Sequence, residues 1–232
     1  LKGFRCKMID VEICLEDKTM DIIKELSLIG IVPVIKIDDA KDAAPLAHAL
    51  EDGGLPCAEV TFRTAAAAEA IAEMVKACPD MLVGAGTVLT TAQVDEAVNA
   101  GASFIVTPGL DIEIVKYCQE KGITVFPGCT TPTDYHAAYK RDLKVLKFFP
   151  AEQSGGLAKI KAMNAPFPMF KIMPTGGISL KNLKDYLSCP QICACGGSYM
   201  VTADLIDNQK WDEITELCKQ SVEIVKEARN NG

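Results

Sequence analysis

The feature that most constrains the fold of this chain is a regular alternation of short apolar runs with helical patterns. Eight runs rich in Val and Ile are bounded by Gly, Pro or polar residues, as buried parallel strands commonly are. They lie at 31–37, 57–63, 81–88, 104–109, 123–128, 145–150, 171–177 and 192–198. Eight such runs, each followed by a helical segment, favour a closed parallel barrel over an open sheet.

Segments with helical periodicity fill the spaces between these runs. They lie at 40–52, 65–77, 91–100, 111–121, 132–141, 155–164, 179–188 and 201–206. Two more amphipathic segments, 19–29 and 211–228, precede the first run and follow the last. We therefore expect an α/β protein whose residues 18–232 form a single-domain (β/α)8 TIM barrel with an extra N-terminal helix. Residues 1–17 are expected to be an N-terminal extension of unclear role. The alternative is a doubly wound open sheet, which differs mainly in its number of strands.

Length and composition agree with one such domain and exclude several function classes. The 232 residues match the usual size of a barrel, and 49% of them are hydrophobic. A net charge of −7 argues against a nucleic-acid partner, because phosphate backbones attract basic surfaces. No apolar run approaches the roughly 20 residues that cross a bilayer, and the first residues contain no signal-peptide core. We expect a cytoplasmic protein without a membrane partner.

The ten cysteines are scattered, and several lie inside apolar segments. In a cytoplasmic protein we expect them to be small buried apolar residues rather than disulfide partners. The cluster of Cys189, Cys193 and Cys195 lacks the paired spacing of a zinc site, and the chain has only two histidines. Both histidines, His48 and His136, lie in helical segments and are interpreted as structural. We expect no metal and no cofactor.

One face of the second strand is unusually polar. Glu59, Thr61 and Arg63 share it by the two-residue alternation of a strand, and Val60 and Phe62 lie on the opposite face. A buried carboxylate, hydroxyl and guanidinium are costly unless they pair or bind a ligand. Because catalytic groups of barrels lie at the carboxyl ends of strands, this face is a candidate site. The alternative is an internal Glu59–Arg63 ion pair that only supports the barrel.

A lysine interrupts the apolar run at 145–150. If its apolar neighbours pack against helices, Lys147 points into the barrel near the carboxyl end of a strand. Apolar surroundings and the guanidinium of Arg63 both disfavour the charged amine. A neutral amine attacks carbonyl carbons and forms Schiff bases, and Glu59 is a candidate acid or base for the proton transfers. The alternative is a lysine that extends to solvent at the strand end.

Two glycine pairs end the last two runs, in PTGGIS (174–179) and CGGSYM (195–200). Paired glycines let backbone N–H groups approach an anion, and the loops after strands seven and eight are the usual phosphate position in barrels. The pairs therefore predict a phosphate site, although a glycine pair alone is often only a turn.

Other candidate residues have weaker signals. GAGTVL (84–89) lacks the third glycine of a dinucleotide fingerprint, so we expect its glycines to open space for substrate and Thr87 to offer a hydroxyl. Lys36 and Lys171 also lie in strand runs. Lys36 faces inward by its spacing from Val34 but has Asp38 nearby, and Lys171 begins a strand. Neither displaces Lys147 as the candidate nucleophile.

With these motifs in hand, the chain resembles the class I 2-keto-3-deoxy-6-phosphogluconate (KDPG) / 4-hydroxy-2-oxoglutarate (KHG) aldolase family from about residue 20 onward. GLPCAEVTFR (54–63) is similar to its active-site signature, and VLKFFPAE (145–152) is similar to its Schiff-base signature. GAGTVL, TPG, PTGGIS and GGS follow in the family's order. One position departs, since Asp142 stands where the family usually has glycine, and this puts the local loop geometry in question.

The resemblance implies a role for each matching residue. Lys147 forms an imine with the 2-keto acid, and Glu59 shuttles protons. The pyruvate end is assigned to Arg63, Thr87, Pro108 and Phe149, and the distal phosphate to Thr175, Gly176, Gly177, Gly197 and Ser198. The resemblance further implies a metal-independent homotrimer that takes part in Entner-Doudoroff carbohydrate metabolism.

The predicted function is cleavage of a 2-keto acid to pyruvate and an aldehyde. KDPG would give glyceraldehyde 3-phosphate, and unphosphorylated KHG would give glyoxylate. The sequence leaves the choice among KDPG, its galactonate epimer and KHG open. Two alternative functions are a phosphosugar isomerase or epimerase on the same barrel, which leaves Lys147 without a covalent role, and a non-catalytic phosphosugar-binding barrel.

Overall fold

Strands and helices alternate through residues 19–230, which are the residues that the computed structural model describes. The strands are β1 Ile31–Ile35, β2 Cys57–Thr61, β3 Leu82–Gly86, β4 Phe104–Val106, β5 Thr124–Phe126, β6 Val145–Phe148, β7 Lys171–Pro174 and β8 Cys195–Gly197. Each lies within one of the eight predicted runs, so all eight strands are confirmed. The strands are shorter than the runs because most runs continue into the loop after the strand, as with Phe149 and Pro150 after β6, and because residues 192–194 precede β8.

The helices also coincide with the predicted segments, and the last two extend one and two residues beyond them. They are α1 (residues 19–29), α2 Ala43–Asp52, α3 Ala67–Ala77, α4 Thr91–Asn99, α5 Ile112–Glu120, α6 Pro132–Tyr139, α7 Gly156–Asn164, α8 Leu183–Leu187, α9 Ala203–Asp207 and α10 Trp211–Asn230. Several begin at a side-chain cap, and at α6 Thr131 and Asp134 form a reciprocal capping box. Residues 1–17, the predicted extension, lie outside the described residues.

All observed strand pairs are parallel, and the sheet is curled. Six strands pair in the order β5-β4-β3-β2-β1-β8, and β6 pairs with β7. Single bridges connect the two sets: Gly128, just after β5, pairs with Lys147 of β6, and Thr175, just after β7, pairs with Gly196 of β8. The structure is therefore a parallel α/β fold in which β6 and β7 lie between β5 and β8.

The side chains of the strands fall into two clusters. The outer cluster contains Ile35, Val60 and Leu146 and packs against the helices. The inner cluster lies at the amino ends of the strands and includes Val32, Cys57, Leu82, Phe104, Phe126, Val145, Met173 and Cys193, together with Ile22 and Leu26 of α1. Because apolar side chains fill this end, the polar inward residues lie at the carboxyl ends, where the loops begin.

Asp142, which stands where the family usually has glycine, does not disturb this arrangement of the strands. Asp142 lies between α6 and β6 and has a left-handed backbone, with φ of 54°. Glycine adopts this conformation freely, which is why a glycine suits the position, and aspartate is among the few other residues that tolerate it. The loop geometry that the sequence put in question is therefore one that glycine would also adopt.

Two further properties concern membrane and redox context. Within residues 19–230, no helix combines the length and apolarity that a membrane crossing requires. The eight cysteines in this range are buried free thiols, in agreement with their predicted role as small core residues. Burial raises the pKa of Cys118 and Cys218 to about 12, so these thiols stay protonated at neutral pH.

Candidate active site

A buried lysine–carboxylate pair lies at the carboxyl ends of β2 and β6. The Nζ atom of Lys147 donates a hydrogen bond to Oε1 of Glu59 over 3.0 Å, and the two side chains are 6% and 1% exposed. The other carboxylate oxygen, Oε2, is buried and has no hydrogen-bond partner among the described residues. One oxygen can therefore exchange a proton with the amine, while the second is free to accept one from a ligand.

The strand pattern explains why both groups point inward. In β6, Leu146 belongs to the outer cluster and Val145 to the inner cluster, so Lys147 follows Val145. In β2, Val60 faces outward and Glu59 follows the inward Cys57. The predicted inward orientation of Lys147 is thus confirmed, and the alternative of a lysine extended to solvent is wrong.

A glycine on the neighbouring strand makes room for the carboxylate. Gly86 ends β3, and a side chain there would clash with the carboxylate of Glu59. Gly84 pairs in register with Glu59, and a side chain at Gly84 would clash with the ring of Phe104. The two glycines of the GAGTVL motif therefore make room for Glu59 and Phe104, and the predicted space for substrate beside them stays a prediction.

A cavity of about 390 Å³ opens at the carboxyl ends of β1, β2, β7 and β8. Thr61 lines it two residues beyond Glu59, and Phe149 lines it two residues beyond Lys147. The ring centroid of Phe149 lies 5.6 Å from Nζ of Lys147. The cavity brings together six of the residues predicted for the substrate: Arg63, Phe149, Thr175, Gly176, Gly177 and Ser198.

Three predicted substrate residues do not line this cavity. Thr87 follows Gly86 and has a left-handed φ of 56°, which is an unusual conformation for a β-branched residue. Pro108 follows β4, and its carbonyl lies so close to Gly128 that a side chain at that glycine would clash. Gly197 is buried within β8 beside Ile31. Their assigned roles in substrate binding remain predictions.

The loop after β7 has the properties of an anion site. Gly176 and Gly177 have φ of 100° and 78°, a conformation that side chains other than glycine rarely adopt. Both line the cavity, so a ligand there meets backbone at close range. The hydroxyl of Thr175 is buried and has no hydrogen-bond partner among the described residues. A buried hydroxyl in this state favours a ligand that supplies the missing partner.

A second layer of residues supports that loop. The Tyr186 hydroxyl donates a short hydrogen bond to Glu152, and a side chain at Gly177 would clash with Glu152. The backbone N–H of Glu152 also donates to the carbonyl of Gly176, over 3.2 Å. Burial and the neighbouring Glu152 carboxylate raise the pKa of Tyr186, so its hydroxyl stays protonated and remains a donor.

The structure places in the cavity wall one residue, Lys36, that was not predicted to bind substrate. Lys36 follows β1 and lines the cavity, and its amine also forms an ion pair with Asp38. Its strand spacing gave the correct inward direction, but the nearby aspartate favoured a surface pair. The sequence indicated the inward direction of Lys36. Only the structure showed that Lys36 lies beside the cavity and also pairs with Asp38.

The comparisons with known proteins agree on one family. The sequence model of the family described as KDPG and KHG aldolase matches residues 22–217. The 2-dehydro-3-deoxy-phosphogluconate aldolase of Haemophilus influenzae is 48% identical over 208 residues, which are 90% of this chain and 98% of that protein.

Solved structures give the same result. The crystal structure of KDPG aldolase from Legionella pneumophila, with pyruvate captured at low pH as a covalent carbinolamine intermediate, matches with a TM-score of 0.79 and 40% identity. It covers 82% of this chain and 92% of that one. The crystal structure of 2-keto-3-deoxy-6-phosphogluconate aldolase from Zymomonas mobilis with 3-phosphoglycerate matches with a TM-score of 0.82 and 39% identity. The match covers 88% of this chain and 95% of that one.

Proposed function

The chain belongs to the KDPG and KHG aldolase family, and from that premise we propose that it cleaves 2-keto-3-deoxy-6-phosphogluconate to pyruvate and glyceraldehyde 3-phosphate. It is a lyase of the class I type, which uses a lysine rather than a metal as the electron sink. The unphosphorylated 4-hydroxy-2-oxoglutarate is the second candidate substrate, because the pyruvate end of the two molecules is the same.

The single observation that carries this proposal is the buried pair of Lys147 and Glu59 beside a cavity. An amine held among apolar residues next to a carboxylate has both components of imine chemistry, a nucleophile and a proton acceptor. An isomerase or epimerase and a phosphosugar-binding protein have no need of such a lysine. The pair therefore favours the aldolase over both alternatives.

The first half of the reaction forms a covalent bond to Lys147. Its ammonium passes a proton to Glu59, and the neutral amine attacks C2 of the keto acid to give a carbinolamine. Glu59 returns the proton to the C2 hydroxyl, and water leaves as the protonated imine forms. In the Legionella pneumophila KDPG aldolase, pyruvate was captured as a covalent carbinolamine, which is the corresponding intermediate in that relative.

The second half breaks the C3–C4 bond. Glu59 accepts the proton of the C4 hydroxyl, the aldehyde departs, and the bonding electrons move into the imine to give an enamine. C3 of the enamine is then protonated, and water hydrolyses the imine to release pyruvate and the free lysine. We assign Arg63 and Thr87 to the carboxylate of the substrate, and Pro108 and Phe149 to the walls around its pyruvoyl carbons. These contacts contribute by holding C2 within reach of the amine.

The distal phosphate is assigned to the loops after β7 and β8. The residues are Thr175, Gly176, Gly177, Gly197 and Ser198. Support comes from the Thr175 hydroxyl, which has no hydrogen-bond partner within residues 19–230, and from the glycine backbone that lines the cavity. A phosphate there would accept the Thr175 hydroxyl hydrogen and backbone N–H hydrogens.

We also propose that the parallel strands close into a complete (β/α)8 barrel within a single domain of residues 18–232. The single bridges on either side of the β6–β7 pair support closure. The extra helix α1 would then cover the amino end of this barrel, with Ile22 and Leu26 in the inner cluster. A homotrimer is proposed from the family resemblance, and light scattering after size-exclusion chromatography would measure its mass.

A coupled assay tests the proposed activity. Purified protein is mixed with KDPG, and lactate dehydrogenase with NADH reports pyruvate release. We expect turnover that persists in the presence of a chelator, with KHG turned over more slowly. Tight binding of a phosphorylated sugar acid with no pyruvate release would instead support a non-catalytic barrel, and interconversion of epimers without pyruvate would support an epimerase.

A further inference from the structure

Lys36 occupies a position in the cavity that the proposed reaction has not used. It follows Ile35, which packs in the outer cluster, and it shares the inward direction of Val32. Lys36 lines the same cavity as Arg63, Thr175 and Ser198. The alternation of side chains along β1 and the lining of the cavity therefore both place the Lys36 side chain at the cavity.

Neighbouring strands fix which part of the cavity Lys36 serves. β1 pairs with β8 on one side, with Pro33 opposite Gly197, and with β2 on the other side, with Val34 opposite Glu59. Lys36 therefore stands between the loop that carries Ser198 and the strand end that carries Arg63. It is adjacent to the proposed phosphate loops on the β8 side.

The charge of the proposed ligands makes this position informative. Of the residues that line the cavity, Lys36 and Arg63 are the two with charged side chains. A 2-keto acid phosphate brings two anionic groups, a carboxylate and a phosphate. If Arg63 binds the carboxylate, the phosphate meets neutral hydroxyls and backbone N–H groups, and Lys36 is the remaining cation among the described residues that line the cavity. Charge-assisted hydrogen bonds to phosphate are about twice as strong as neutral ones.

The present partner of Lys36 does not prevent this contact. The Lys36 and Asp38 side chains are 45% and 55% exposed. Exposed pairs of this kind contribute little, so the amine can exchange Asp38 for a phosphate at small cost. A phosphate dianion is also a stronger partner for an ammonium than one solvated carboxylate.

We propose that Lys36 binds the distal phosphate and so determines the preference for phosphorylated over unphosphorylated 2-keto acids. This inference rests on the proposed aldolase function, and it adds a specificity-determining cation to the site. It also addresses the substrate choice that the sequence left open, because Lys36 would strengthen binding of the C6 phosphate of KDPG, whereas KHG has no phosphate and its distal carboxylate is attached directly to C4, closer to the reacting carbons.

The experiment compares Lys36→Met with Lys41→Met on both substrates. Lys41 is a matched control, since it forms an exposed pair with Asp39 on the same segment and lies outside the active-site cavity. For Lys36→Met we expect kcat/KM on KDPG to fall about 10- to 100-fold, mainly through KM, and kcat/KM on KHG to change less than about twofold. Lys36→Arg should retain most of the activity on KDPG, and Lys41→Met should match the wild type.

Inorganic phosphate provides a second readout that is independent of turnover. Its dissociation constant, measured by calorimetry, should rise about tenfold or more in Lys36→Met and stay unchanged in Lys41→Met. Equal losses on both substrates, or no loss on either, would overturn the role of Lys36 in phosphate binding. If the wild type cleaves neither substrate, the proposed function fails, and unchanged phosphate binding in Lys36→Met would then overturn this inference separately.

Discussion

The two ends of the parallel strands contrast sharply in what their inner faces carry. At the amino ends, the inner cluster is apolar and α1 packs over it with Ile22 and Leu26. At the carboxyl ends, the same inner face presents Glu59 and Lys147, and a cavity of about 390 Å³ adjoins them. Both ends follow from one alternation of side chains along the strands. Stability and chemistry are therefore separated along the strand direction. Substitutions at the carboxyl ends should change turnover, and substitutions at the amino ends should change the free energy of unfolding.

The largest expected effect comes from removing the nucleophile while keeping its charge. Lys147→Arg retains a cation beside Glu59 but provides no neutral amine, so turnover of KDPG should fall about 10⁴-fold or more. The thermal midpoint should stay close to that of the wild type, because the ion pair persists. Lys121→Arg is the control, since Lys121 pairs with Asp95 at a similar distance of 2.7 Å but is 46% exposed. Substantial turnover by Lys147→Arg would refute covalent catalysis at this residue.

Replacing the carboxylate should give the next largest effect. Glu59→Gln keeps the size of the side chain but removes the proton acceptor, and we expect kcat to fall about 10²- to 10⁴-fold. Stopped assays of pyruvate release on KDPG would measure this. If kcat changed less than about threefold, the proton transfers would have to be assigned to another group.

The amino end should show the opposite behaviour. Leu26 is 3% exposed and packs in the inner cluster, so Leu26→Ala should lower the free energy of unfolding by about 2–5 kcal/mol. The folded variant should keep the wild-type kcat on KDPG, because Leu26 packs at the amino ends of the strands and the cavity opens at their carboxyl ends. Urea unfolding at a fixed protein concentration measures the free energy of unfolding. A large fall in kcat with unchanged stability would break the separation between the two ends.

The smallest expected effect lies in the loop that leads to β6. Asp142 holds a left-handed φ of 54°, which glycine adopts without strain. Asp142→Gly should stabilise the fold by about 0.5–1 kcal/mol, since the relief of strain exceeds the extra chain entropy of glycine in the unfolded state. Kinetics on KDPG should be unchanged. A measured loss of stability would show that the Asp142 side chain contributes more than its backbone costs.

Much of the fold and the central pair was predictable because strand alternation has a period of two. Lys147 and Glu59 are 88 residues apart, yet their inward directions follow from the apolar residues on either side. That the two meet at 3.0 Å depends on the curvature of the sheet, which no local pattern contains. The resemblance to known aldolases supplied the pairing that the strand pattern left open.

Other features depended on tertiary structure. The left-handed backbone of Thr87 could not be predicted, because β-branched residues usually avoid that conformation and the surrounding fold imposes it. Lys36 had the correct direction by sequence, but its place at the cavity depends on how β1 sits between β8 and β2. The predicted strand ends extend too far where Pro and Gly follow the last paired residue, as Pro127 and Gly128 do after β5.

Covalent trapping shows directly whether Lys147 forms an imine with pyruvate. The protein is incubated with pyruvate and sodium borohydride, digested, and sequenced by mass spectrometry, with Lys147→Arg treated in parallel. We expect a single reduced pyruvate adduct, located on Lys147 and missing from the variant. An adduct on a different lysine, or none at all in protein that turns over KDPG, would contradict imine formation at Lys147.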